Sequence, residues 1–495
     1  MGVFIHFSMN TMTDKEYDDL SLPLDKFNPV KLNTDQWAMT AKSMGAKYVV
    51  LVAKHVGGFC LWPTSTTDYS VGHTPWRDGK GDVVADMARS CRHYGLKLGV
   101  YLSPNDNKHG IGIGGKAPDP EKQKAYNSLY RTQLTELLTH YGKMTEVWFD
   151  GSQTVPTADL LQRYAPDAMV FQGPQATIRW VGNEDGFAPY PAWNSLSKVD
   201  ARTGVATAIH GDPDGDAWMP IEVDVSLHRP NWFWHPQDKP MSMDDLLSVY
   251  YRSIGRGANL LVNLSPDSNG EIEPQDVERA KEFGDEIRSR FGKPLASTHG
   301  STIEFPKPTL IDHVEVMEDT RGGERVRKHA IQVRVGGVWK IVSDGTAIGE
   351  RRLVPIPPED VGAVRLQVSE SSGAPMIRRL AVYDTGKAPP ADWNESSSLW
   401  ADDQVGNWSS SGALEVSLDG KLPAAAQYRL RFVSTDQSPA EIGDLQLLLN
   451  GVPNETLVRR DGSSYVLTIT GLNAKVTVRA TVAGSGRGLV LLRRL

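Results

Sequence analysis

The 495-residue chain holds only two cysteines, Cys60 and Cys91. That excludes a disulfide-stapled scaffold and a cysteine-built zinc cluster, and leaves each thiol to be read as a small buried hydrophobe. Excess basic charge is also missing. The formal net charge is -7 with no block of Lys or Arg, so the chain offers no electrostatic footprint for nucleic acid or an anionic membrane surface. No apolar run approaches the length of a membrane span, and Met1 to Asn10 lacks the basic start and long apolar core of a secretory signal. The compartment stays open between the cytoplasm and a secreted or periplasmic location after processing; the number of subunits is equally open.

What is there is an alternation. From Gly2 to about Gly292, strand-like apolar runs alternate with helical stretches, the pattern of parallel strands joined by crossover helices. Strands are expected at Gly2 to Phe7, Lys47 to Ala53, Leu96 to Leu102, Thr145 to Asp150, Ala168 to Gln172, Ile221 to Ser226 and Ala258 to Leu264. Helices fit at Thr34 to Met44, Gly81 to Tyr94, Tyr126 to Tyr141 and Gln275 to Phe291, the first three closed by Gly45, Gly95 and Gly142. Seven visible strands over this length predict an α/β fold of (β/α)8 type, a TIM-like barrel, with the eighth strand hidden between Gly173 and Pro220. An open doubly wound sheet is the competitor, but no glycine-rich nucleotide turn follows the first strand. Past Gly292 the texture changes to short alternating strands broken by glycine and proline. The expected organisation is a barrel over 1–294, a β-sandwich over 298–385, a linker over 386–398 and a second β-sandwich over 399–495. Both sandwiches are read first as structural supports, with glycan binding as the alternative.

Two carboxylates stand where barrel chemistry is done. Thr145-Glu146-Val147-Trp148-Phe149-Asp150-Gly151 puts Asp150 at a strand end beside aromatic groups, as a catalytic carboxylate would be; a helix or turn cap is the plain alternative. Glu184 lies on a loop after the fifth strand, near Trp180 and Phe187, surroundings that raise a carboxyl pKa toward that of a general acid. Glu222 is a rival on a predicted strand, read more readily as a structural hydrogen-bond partner. Two carboxyls in different environments at one barrel mouth suggest glycoside hydrolysis. His6, His55 and Asp150 are the candidate metal set, but no His-x-His or His-x-x-x-His pair accompanies them, so no metal and no cofactor is expected. Gly110 and Gly115-Lys116 have the spacing of a phosphate loop. Ala117 stands in place of Ser or Thr, and Ala117-Pro118-Asp119-Pro120 is read as unable to open a helix, so the segment is expected to be a flexible rim loop.

Phe4-Ile5-His6-Phe7, Lys54-His55 with Gly58-Phe59-Cys60-Leu61-Trp62, Gly99-Val100-Tyr101-Leu102-Ser103-Pro104, Trp148-Phe149-Asp150-Gly151 and Arg179-Trp180-Val181-Gly182-Asn183-Glu184 occur in that order. Together they resemble the successive signatures of the α-L-fucosidases of glycoside hydrolase family 29. The last motif, with Gln36-Trp37 and Trp232-Phe233-Trp234-His235, is most similar to the subgroup acting on α-1,3- and α-1,4-linked, Lewis-type fucose. Gly323-Glu324-Arg325-Val326 and Asp344-Gly345-Thr346-Ala347-Ile348-Gly349 resemble that subgroup's accessory, discoidin-like sandwich.

The resemblance implies that Asp150 is the nucleophile and Glu184 the acid/base of a retaining exo-glycosidase acting on fucosylated oligosaccharides or glycoconjugate glycans. It implies that His6, Glu16, His55 and Tyr101 contact sugar hydroxyls and that Trp148 offers an apolar face to the ring, with Trp180 and Trp232 completing the substrate-binding set. One departure stands out: the family usually reads His-His-Asp-Gly-Phe where this chain has His55-Val56-Gly57-Gly58-Phe59. A lost hydroxyl hydrogen bond costs about 0.5–1.5 kcal/mol, which keeps an α-L-galactosidase or a transfucosidase on the same scaffold as alternatives. A glycan-binding protein with an inactive barrel is the alternative from another class.

Overall fold

The computed structural model describes residues 1–151, 153–197, 210–394, 403–408, 411–418, 422, 426–434, 442–454, 457–461, 464–469, 475–483 and 488–494. The described residues form two compact units, Met1–Trp393 and Asn394–Leu495.

Eight parallel strands build the barrel: β1 (Gly2–Ile5), β2 (Tyr48–Lys54), β3 (Lys97–Leu102), β4 (Met144–Trp148), β5 (Met169–Phe171), β6 (Arg179–Trp180), β7 (Ile221–Ser226) and β8 (Asn259–Leu264). They pair in the order β5-β4-β3-β2-β1-β8-β7-β6. A parallel bridge from Phe171 to Ile178 ties the two edges, so the barrel is nearly closed. Strand β6 is the one expected between Gly173 and Pro220. It is two residues long, too short for periodicity to reveal. No helix precedes it; Thr177 N and Ile178 N instead bond back to Val170 O.

Helices α1 (Thr34–Met44), α2 (Val83–Tyr94), α3 (Pro120–His140), α4 (Ala158–Tyr164), α5 (Met243–Arg252) and α6 (Pro274–Phe291) make the crossovers. Capping fixes their ends. Asn33 and Asp82 accept from Gln36 N at 3.1 Å and Ala85 N at 2.8 Å, and Gly45 and Gly95 close α1 and α2 in the left-handed conformation. Helix α3 corrects one expectation. Pro120 does open a helix, because its fixed φ and missing N–H suit the first helical position and Asp119 accepts from Lys122 N at 2.9 Å. The loop before it is also anchored, with Thr154 N on Gly114 O at 2.8 Å and Gln123 Nε2 on Gly115 O at 2.9 Å.

Inside the barrel Phe4, Val50, Val52, Tyr101, Trp148, Phe171, Ile178 and Leu261 pack as one cluster. After α6, six antiparallel strands between Ala296 and Tyr383 enclose a second core. Bulges along Thr302–Glu318 and Arg352–Ser371 bend its two longest strands. In the second unit, a five-stranded and a four-stranded antiparallel sheet share one apolar core, as a β-sandwich does. Residues 395–398 of the expected linker lie outside the described residues. Cys60 and Cys91 are both buried and free, and burial pushes the Cys91 thiol up to about 12.

At the end of β2 the fold buries a charge. Lys54 Nζ lies 2.9 Å from Asp106 Oδ2, both side chains fully enclosed, with His109 Nδ1 2.9 Å from the other carboxylate oxygen. Removing one partner of such a pair strands the other charge. Asp106→Ala is expected to lose about 3–5 kcal/mol of stability, read as a lower urea midpoint. Combining Lys54→Met with Asp106→Leu should recover most of that loss.

Candidate active site

The carboxyl ends of the strands bring His6, His55, Tyr101 and Asp150 together. Strand β4 stops at Trp148, and Asp150 stands two residues beyond it. From β3, the Tyr101 hydroxyl donates to Asp150 Oδ2 at 2.8 Å. Burial raises the Asp150 carboxyl above its ordinary value, and the Tyr101 hydrogen bond opposes that rise.

Two imidazoles line the same mouth. His6 follows β1 and bonds through Nδ1 to Asn263 Oδ1 at 2.7 Å; because that oxygen accepts, the proton sits on Nδ1 and Nε2 is left as an acceptor. His55 follows β2 and lies against Tyr101, ring centroids 5.9 Å apart at 22°, with Phe233 edge-on at 5.1 Å. Its Nδ1 is buried with no hydrogen-bond partner among the described residues. Burial pushes His6 down to about 3 and His55 down to about 4. Both rings are therefore neutral over the working range and suited to hydroxyl groups.

Glu184 is carried by the turn after β6. Asn183 Oδ1 accepts from Asp185 N at 3.1 Å, and Asp185 is paired with Arg229. Gly186, at φ 72°, passes so close to β7 that a Cβ there would lie 2.9 Å from Val225 and Val249 side-chain atoms. Held this way, Glu184 accepts from Trp232 Nε1 at 3.2 Å. Crowding by protein atoms raises its carboxyl, and the nearby charges of Asp150, Asp185 and Glu16 add to that, against the Trp232 bond. Glu184 is exposed to solvent even so.

Glu16, expected to contact sugar, has its carboxylate taken up by the loop opposite. It accepts from Trp232 N at 2.8 Å and Phe233 N at 3.3 Å, and meets His235 Nε2 at 3.3 Å. Glu16 thus sets Trp232, and Trp232 in turn holds Glu184. Trp180 donates to Asp224 Oδ1 at 2.8 Å. Trp148 lies deeper than expected, 6% exposed, its ring stacked on Phe171 at 3.8 Å and on Tyr101 at 5.4 Å. Its packing supports Tyr101 more than it presents a face to the pocket. Glu222 is on the barrel floor below it, accepting from Trp148 Nε1 at 3.0 Å.

Two functional side chains escaped the sequence reading. Asn263 fixes His6 and also donates to Trp232 O at 2.7 Å; the signal was a polar residue inside the apolar run Leu260-Leu261-Val262-Asn263-Leu264. Asp224 is a buried third carboxyl, held well above its ordinary range by burial and by the charge of Glu184; its signal was the inward alternation Glu222, Asp224, Ser226. The departure at Gly57 also acquires a cause. A Cβ there would fall 2.5 Å from Asp18 Oδ2, so the Asp18 carboxylate, bonded by the Tyr69 hydroxyl at 2.7 Å, fills the space beside it.

Among the described residues no group of three His, Cys, Asp or Glu side chains is arranged to hold a metal ion. A crowd of carboxyls with neutral imidazoles suits a neutral ligand that gains positive charge as it reacts.

The sequence pattern of the alpha-L-fucosidase family matches residues 5–289. Alpha-L-fucosidase 1 of Arabidopsis thaliana is 33% identical over 437 residues, 77% of this chain and 85% of that protein. The crystal structure of a glycoside hydrolase 29 family member from an unknown rumen bacterium superposes with a TM-score of 0.72 at 28% identity, over 98% of this chain and 94% of that one. The glycoside hydrolase 29 fucosidase of Ruminococcus gnavus, solved in complex with fucose, gives a TM-score of 0.70 at 25% identity, over 80% and 94% of the two chains.

The depressed imidazoles carry a pH consequence. The folded values, about 3 for His6 and about 4 for His55, lie below the unfolded value of about 6.5. On acidification the unfolded chain takes up these protons first, so their contribution is full above about pH 6.5 and is lost as pH falls toward 4. The two ring resonances should stay in the neutral position between pH 8 and pH 5 by NMR; titration of either near 6.5 would contradict this.

Proposed function

The chain belongs to the α-L-fucosidases of glycoside hydrolase family 29, and we propose that it releases terminal α-L-fucose with retention of configuration, Asp150 acting as nucleophile and Glu184 as acid/base. The observation that carries the reading is a pair of carboxyls in different surroundings at one barrel mouth: Asp150 held by the Tyr101 hydroxyl, and Glu184 raised by crowding and by the Asp150 charge. The hydrogen bond favours the ionised form of Asp150, the form that attacks the anomeric carbon. The raised Glu184 keeps its proton long enough to deliver it to the departing oxygen, and afterwards takes one from the water that frees the sugar.

The other groups bind. His6 Nε2 and the unpartnered His55 Nδ1 accept or donate to sugar hydroxyls, and the enclosing carboxyls stabilise the oxocarbenium-like charge of the transition state. Glu16 contributes by seating Trp232, which orients Glu184. No cofactor takes part. The substrates are fucosylated oligosaccharides or glycoconjugates. The Arg179-Trp180-Val181-Gly182-Asn183-Glu184 run supports α-1,3 and α-1,4 linkages. Val56 and Gly57 favour one second reading, relaxed sugar selectivity toward α-L-galactosides or transfer to sugar acceptors.

Glu184→Ala should lose about 10²–10⁴-fold in rate on fucosyl oligosaccharides, and less on an aryl fucoside whose leaving group needs no proton. Asp150→Asn should be inactive on both. With the unaltered enzyme, NMR should detect α-fucose as the first-formed anomer; β-fucose first would contradict retention. Release from α-1,3 and α-1,4 but not α-1,2 linkages, on a panel run alongside, tests the linkage assignment.

A further inference from the structure

We propose that Glu222, on the barrel floor, is a positioning residue that acts on the nucleophile through Trp148 and Tyr101; the inference rests on the assignment of Asp150 made above. The chain of contacts is continuous. Glu222 Oε1 accepts from Trp148 Nε1 at 3.0 Å, and its Oε2 accepts from Asn259 Nδ2 at 2.6 Å and the Tyr48 hydroxyl at 3.1 Å. The Trp148 ring lies against Tyr101 at 5.4 Å and 23°, and the Tyr101 hydroxyl reaches Asp150 at 2.8 Å.

Packing alone does not set that ring. Phe171 and Tyr101 cover its faces and Phe4 its edge, contacts that a ring rotated in its own plane would largely keep. The indole N–H breaks the degeneracy, since a buried donor must meet its acceptor. Strand alternation puts Glu146, Trp148 and Asp150 on one inward line, so a shift of Trp148 is passed to the residue two places on.

Glu222 is completely buried and Glu146 2% exposed, and burial together with the charge of Glu222 holds the Glu146 carboxyl well above its ordinary range. Two coupled acids titrate as a pair. Glu222 accepts from three donors, which favour its ionised form, so it remains the acceptor that Trp148 requires. Besides Glu146, the titratable groups around Glu222 are the Met1 amino group, Tyr48 on β2 and Asp224 on its own strand. Those facing Asp150 are Tyr101, Glu184 and Tyr17.

The test is the pH profile of kcat/KM on an aryl fucoside for Glu222→Gln, Tyr101→Phe and the double variant. In Glu222→Gln the amide competes for Asn259 and Tyr48, Tyr101 is loosened from Asp150, and the bond that opposes the rise of the Asp150 carboxyl weakens. Its acid limb should move to higher pH, kcat should fall roughly 10- to 100-fold, as small misplacements of reacting groups do, and KM should change less. The double variant should be no worse than Tyr101→Phe, because both act on one bond. Should Glu222→Gln not fold, Trp148→Phe keeps a ring, removes the donor and should move the acid limb the same way. An unmoved acid limb in whichever of these variants folds, or effects that multiply with Tyr101→Phe, overturns the proposal. Asp150→Asn is the control: if it is active, the nucleophile assignment itself fails, whereas an inactive Asp150→Asn with an unmoved Glu222→Gln limb defeats only this inference.

Discussion

A carboxyl group inside a protein must be met by donors or keep its proton, and this barrel gathers Glu222, Glu146, Asp150, Glu184 and Asp224 along its axis and at its mouth. The way each is satisfied decides what it does. Glu222 gathers an indole, an amide and a phenol. Burial and the charge of Glu222 hold the Glu146 carboxyl beside it well above its ordinary range. Above them Asp150 has the Tyr101 hydroxyl, Glu184 the Trp232 indole, and Asp224 the Trp180 indole. Three of the five are met by tryptophan N–H groups, which satisfy the acid while their rings fill the space that excludes water.

The loops are held by the same means. Glu16 grips the Trp232 loop through two backbone amides, and Asn263 binds that loop and His6 at once. The long excursion between β6 and β7 is fastened from the six-stranded β module: Glu324 accepts from Asn194 N and Asn194 Nδ2, each at 2.8 Å, and Tyr190 donates to Ala347 O at 3.1 Å. This gives the Gly323-Glu324-Arg325-Val326 motif a structural task, steadying the segment whose first turn carries Glu184. Burial raises the Glu324 carboxyl to about 7, so the clasp is a neighbour of neutrality.

Much of this was legible in the chain because barrel strands are short apolar runs with polar residues at their ends. The strand-end positions of His6, His55 and Asp150 followed directly. A two-residue strand at Arg179–Trp180 has no period to read and was found only as a gap. Helix α3 starts ahead of its apolar periodicity because Pro120 stands at the first helical position, where proline is favoured instead of breaking the helix. Side-chain direction was harder still. Trp148 and Glu16 were identified as site residues by motif, but which atoms they spend on the protein is a matter of packing: the Trp148 faces are used by Phe171 and Tyr101, and both Glu16 oxygens by backbone amides. Asn263 and Asp224 were readable in principle, as polar residues on the inward face of otherwise apolar strands.

The central claim is that one carboxylate bonds to the sugar and that it is Asp150. A 2-deoxy-2-fluoro-α-L-fucosyl fluoride reacts with such a group and then stalls, leaving the label on the protein. Peptide mapping by mass spectrometry should place that label on Asp150. A label on Glu184, Asp224 or any other side chain, or turnover without labelling, would contradict the account.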